Sequence, residues 1–197
     1  MSGKQVVAAV LAGLALAGAG LSPAVAQTAL RPAISAELSP EEAARVFETA
    51  VVDVCIPAVS RGVRVAQLSA SARGNLVVVR DAAARRDVGA LPEETVWAPG
   101  AARGAVAVRE TFGRCVVFTY GPPAAVTLRS LADRLAGREG FERMMTTAGK
   151  LGLSQSLFKM AGRRRVQVLI EGSEPGMPGH RSRFSVVTAT VMGTPAG

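Results

Sequence analysis

Apolar and polar positions change rhythm several times along the 197-residue chain, and each change marks an element. Residues 6–20 are an uncharged run of Val, Ala, Leu and Gly. From Ala43 the apolar positions Val46, Phe47, Ala50, Val51, Val54 and Cys55 recur at helical spacing, the stripe of an amphipathic helix. Ser39-Pro40-Glu41-Glu42 opens it, with a side-chain acceptor at the N-cap, proline at the first helical position and a glutamate placed to close a capping box. Pro57 is expected to stop it. Val65, Leu68 and Ala72 fit a shorter second helix ended by Gly74-Asn75, the run from Leu76 to Val79 reads as a short strand, and Ala82 to Ala84 as a helical turn before Leu91-Pro92.

After Trp97 the period becomes that of strands. Ala105 to Thr111 and Arg114 to Tyr120 are rich in β-branched and aromatic residues and flank Phe112-Gly113, which reads as a hairpin. Val126, Leu128, Leu131 and Leu135 form the apolar side of a helix that Gly137 closes. Residues 138–162 are read as short helical pieces packed under the sheet. Arg165 to Ile170 and Arg183 to Met192 read as a final pair of strands; neither face of the last is strongly polar, which predicts a central strand covered on both sides. The expected fold class is α+β: an antiparallel sheet of four to five strands, ββαββ-like, with the N-terminal helix tethered to it by a disulfide.

The tether follows from address and composition. Lys4, the apolar run and Ala24-Val25-Ala26 make the three parts of a signal peptide over residues 1–26, with Gln27 the expected mature N-terminus, and no later apolar run is long enough for a membrane anchor. Residues 27–38 lack periodicity and read as a flexible lead-in, and residues 39–197 as one domain. In an oxidising compartment Cys55 and Cys115 are expected to pair, which would fasten the first helix to the hairpin strand. The formal net charge is +8, and arginine supplies 20 of the 23 basic residues, so an anionic surface is a candidate partner.

Chemistry is thinly represented. One histidine and two paired cysteines leave no material for a closed zinc site, and no metal or cofactor is expected. Ser156-Leu157-Phe158-Lys159 matches a Ser-x-x-Lys pattern without its companion motifs and reads as a helix face. Glu93-Glu94 beside Trp97 offers paired carboxylates of undefined separation. The connection from Gly172 to Arg183 gathers glycines, prolines, Glu174, the only histidine, His180, and Arg181 and Arg183. Those four are the candidate ligand-binding residues. The competing reading is a structural loop whose arginines pair with Glu171 or Glu174.

The arrangement of Phe47 and Cys55 on the first helix, Trp97, the strand around Cys115, and Gly172-Ser173-Glu174-Pro175-Gly176 followed by Arg181-Ser182-Arg183 resembles uncharacterised exported proteins of Gram-negative bacteria. The resemblance implies a periplasmic setting and supplies no activity, so the localisation expected is periplasmic or secreted. The leading functional expectation is a non-enzymatic exported envelope protein, an interaction or binding module with an envelope protein or anionic surface as partner; nucleic acid fits poorly. The alternatives are a hydrolase using carboxylates near the final loop or Glu93-Glu94, and a binder of anionic lipid or polysaccharide through Arg163, Arg164, Arg165, Arg181 and Arg183.

Overall fold

The computed structural model describes residues 38–100, 105–149, 152–177 and 184–195; the expected leader with its expected cleavage site, and His180, Arg181 and Arg183, lie outside the described residues. The first helix begins as its sequence demands. Ser39 caps α1 (Pro40–Thr49) by accepting from the Glu42 N–H, and the Glu42 carboxylate returns to the Ser39 N–H. Pro57 does not end it. The chain runs through a π turn (Ala50–Cys55), in which the Ile56 N–H reaches back to the Val51 carbonyl, into α2 (Ile56–Arg61). A proline inside a helix lacks a donor and its ring crowds the carbonyl four residues back, and the wider π turn accommodates both. Gly62, at φ 65, supplies the left-handed stop.

A 3₁₀ turn (Val65–Gln67) and a short helix α3 (Ala70–Arg73), capped by Ser69, replace the single second helix expected there. The strands β1 (Leu76–Val78), β2 (Thr95–Pro99), β3 (Val106–Thr111) and β4 (Arg114–Tyr120) follow, with α4 (Ala82–Asp87) between the first two. Helix α5 (Ala124–Gly137) then carries the chain to the far edge, and β5 (Glu142–Gly149), β6 (Gly152–Ala161), β7 (Arg164–Ser173) and β8 (Val186–Pro195) return to pair with β4. Among the described residues the sheet is eight-stranded and antiparallel throughout, in the order β1-β2-β3-β4-β8-β7-β6-β5.

The α+β class holds, while the expected four to five strands become eight. The main error falls on residues 138–162, where helical pieces were expected and β5 and β6 stand. β6 holds no β-branched residue and contains Gly, Lys and Ala, which strands disfavour, so local propensity points away from the structure; cross-strand pairing with β7 along nearly the whole length overrides it.

The long helix crosses the sheet, α1 over β3 and β4, the π turn over β4 and β8, α2 over β7 and β8, while α5 covers β6 to β8. Phe47, Val51, Leu131, Leu135, Leu157 and Ile170 fill the space between. Cys55 and Cys115, both buried, form the expected disulfide between the π turn and β4, with Cα atoms 5.6 Å apart. In the chain-entropy account a link closing a loop of this size contributes about 4 kcal/mol.

β8 is central, but it is not covered on both sides. Val187, Ala189 and Val191 are buried under the helices, whereas Val186, Thr188, Thr190 and Met192 on the opposite face are only half-buried. Among the described residues the helical layer lies on one face, and on the other only the segment around α4 packs down, setting Val88 against Val96 and Ala107 at the β2–β3 edge.

Candidate functional site: an arginine-lined end of the sheet

Hairpin register decides which basic residues meet. Thr111 opposes Arg114 across the Phe112-Gly113 turn, and Ala161 opposes Arg164 across the Gly162-Arg163 turn. The two turns share one end of the sheet with the end of β8, because the Gly193 N–H donates to the Gly113 carbonyl and Arg165 lies opposite Thr194. The C-terminus of α2 reaches the same place: a β-carbon on Gly62 would meet the Arg164 guanidinium, and one on Gly193 would meet Val59. Arg61, Arg64, Arg114, Arg163, Arg164 and Arg165 therefore gather at one end. None of the six makes an ion pair with another described residue; the ion pairs present use Arg109, Arg134 and Arg143.

Three of the six guanidiniums have a visible contact or field that places them. Arg164 sits below the last turn of α2, where the helix dipole favours a cation. Arg165 projects on the open face with its Cζ 4.6 Å from the centre of the Phe158 ring, and its Nη2 donates to the Met144 sulfur at 3.4 Å. Its Nε is buried without a partner. Arg64 acts at longer range on Glu110, whose carboxylate accepts from the Val65 N–H at 2.6 Å. Burial raises the Glu110 pKa above the ordinary carboxylate value, against the lowering effects of that hydrogen bond, of Arg64 and of the nearby Trp97 indole. Arg61, Arg114 and Arg163 are exposed.

Two large apolar side chains stand among these charges. Phe112, at the tip of the β3–β4 turn, is 69% exposed, and Met160, at the end of β6 opposite Arg165, is 54% exposed. In register the nearest exposed acids are Glu142, opposite Phe158 on the edge strand, and Glu93, ahead of β2. The arrangement thus offers guanidinium groups for phosphate or carboxylate oxygens and, at the same end of the sheet, two exposed apolar side chains.

The final connection serves the fold instead, as far as it is described. Glu174 caps α5: its carboxylate accepts from the Ala124 N–H at 2.5 Å and the Ala125 N–H at 3.3 Å, and from the Ser185 hydroxyl at 2.5 Å. Helix α5 has proline at its N-cap and no cap from its own side chains, so a carboxylate from fifty positions away in sequence does that work. The β7–β8 connection also leaves β7 at Ser173, the end opposite Arg164, and nine residues of strand put them about 30 Å apart.

The other motifs also have structural employment. Glu94 is buried, accepts from the Leu91 N–H at 2.9 Å and pairs with Arg109 at 3.5 Å, closing the loop ahead of β2. Ser156 and Lys159 lie on strand β6, not on a helix face, and positions three apart on a strand point to opposite faces. Ser156 accepts from the Gln167 amide at 3.0 Å, while Lys159 donates to the Glu139 carbonyl and stands over Phe141.

The chain matches no known family model, no curated protein and no solved structure. Sequence reasoning picked out Arg163 to Arg165 and left open whether they meet Arg181 and Arg183, which lie outside the described residues. Arg61, Arg64 and Arg114 were missed because nothing local marks them; only the pairing of distant strands and the crossing of α2 bring them together.

Proposed function

We propose that this protein is a non-enzymatic exported envelope protein that docks on an anionic lipid surface through the arginine-lined end of its sheet. The reading rests on one observation: six arginines that form no ion pair with another described residue gather at the end of the sheet that also carries the exposed Phe112 and Met160. Guanidinium groups bind lipid phosphates in pairs of hydrogen bonds, while apolar tips reach past the headgroups into the acyl boundary. A hydrophilic polyanion such as an acidic polysaccharide would use the charge and leave Phe112 and Met160 exposed to water. The leader read in the sequence delivers the chain to the compartment where such surfaces lie.

Sedimentation of the mature protein with phosphatidylglycerol-containing vesicles, against vesicles of phosphatidylcholine alone, tests it. Binding is expected to the anionic vesicles, weakening as salt rises. Arg114→Gln together with Arg163→Gln removes two exposed charges at about 1 kcal/mol each, roughly a thirty-fold loss. Phe112→Ser weakens binding at high salt as well. No preference for anionic vesicles, or an unchanged affinity in the double variant, overturns the proposal; capture on acidic polysaccharide without vesicle binding transfers the site to a different polymer and overturns it equally.

A further inference from the structure

At a distance from the arginine-lined end, a cleft of about 490 Å³ opens between the long helix and the turn that leads into β1. One wall is helical, with Val46 and Thr49 from α1 and Asp53 and Val54 from the π turn; the other carries Arg73 from the end of α3 and Leu76 from the start of β1. Its volume lies within the range of small-molecule sites, which are mostly apolar with a few polar groups that fix orientation. Both walls are built. Ser69 caps α3 by accepting from the Ala72 N–H, Gly74 turns the chain at φ 56, and the Gly100 N–H holds the Asn75 carbonyl. The π turn, a rare feature that recurs at functional sites, shapes the opposite side.

Arg73 is the distinctive group. Its Cζ stands 5.9 Å from the centre of the Trp97 ring, its Nε is buried without a hydrogen-bond partner, and it makes no ion pair with a described residue. Asp53, also on the cleft, already has a cation within reach: Arg134 lies 3.9 Å from its carboxylate and 3.8 Å from that of Glu48. The cleft therefore combines apolar walls with one guanidinium that lacks an acceptor. We infer that it is a binding site for a small amphipathic carboxylate, its charged end on Arg73 and its apolar body along Val46, Val54 and Leu76. The inference is independent of the lipid-docking end, since neither site shares a residue with the other.

The chain contains a single tryptophan, and it stacks under Arg73, so its fluorescence reports on this site. Decanoate is the probe and decanol its uncharged counterpart, each titrated into the mature, oxidised protein by Trp97 fluorescence and calorimetry. Decanoate is expected to bind and shift the emission, and decanol to bind at least ten-fold more weakly, the worth of a hydrogen bond to a charged group. Arg73→Gln should bring decanoate down to the level of decanol. Thr49→Phe, at an exposed position on the rim, should block both while circular dichroism shows an unchanged fold. Equal affinity for decanoate and decanol, a decanoate affinity indifferent to Arg73→Gln, binding that survives Thr49→Phe, or no heat and no emission change at millimolar decanoate each overturn the inference.

Discussion

Arg164 stands over Gly62: a β-carbon built on that glycine would lie 2.5 Å from Nη2 and 2.7 Å from Cζ of the arginine. The contact joins the stop of α2 to the first residue of β7, and it places a guanidinium at the C-terminal, negative end of the helix dipole. Gly62→Ala should therefore act twice. The left-handed conformation costs an alanine about 1–2 kcal/mol, read as a lowered melting temperature. The displaced guanidinium should also change vesicle binding, whereas Gly74→Ala, also at positive φ but with nothing within 4 Å of its β-carbon, should lower stability alone.

Glu174 holds the start of α5 and the Ser185 hydroxyl together, so its replacement should loosen two elements that are remote in sequence. Glu174→Ala removes an acceptor shared by two helix N–H groups and should cost about 1–2 kcal/mol, within the range of lost N-caps. Glu174→Gln keeps one acceptor and should lie between the variant and the natural protein. Urea unfolding of the three proteins measures the order. Equal stabilities would show that the cap carries no weight.

Glu110 gives stability a pH dependence of defined sign. Its pKa in the folded protein is raised, chiefly by burial, so the folded state holds this proton more tightly than the unfolded one. The contribution is therefore fully present below the ordinary carboxylate value of 4.5 and is lost as pH rises through the folded pKa. Glu110→Gln retains an acceptor for the Val65 N–H and cannot ionise. Its melting temperature should match that of the natural protein in acid and exceed it at neutral pH, a difference that thermal scans across the carboxylate range would reveal.

Local chemistry that is complete within a few residues was legible in the sequence. Ser39 and Glu42 satisfy each other across one turn, Phe112-Gly113 closes a hairpin between two β-branched runs, and Leu128, Leu131 and Leu135 recur on the buried side of α5. The pairing of Cys55 with Cys115 was legible too, because a chain with two cysteines leaves each one partner. What the tertiary structure alone decided lies in long-range pairing. β6 is a strand because β7 offers it a ladder, and β5 because β6 does, although their own residues favour other conformations. Pro57 continues a helix because a π turn and a packed sheet repay the missing bond. Arg61, Arg64, Arg114 and Arg164 come from three separate stretches of chain, and Arg73 meets Trp97 across another. Charge and aromatic character can be read one residue at a time, but proximity between residues far apart in sequence is set by strand register and helix crossing, which the core fixes only once it closes.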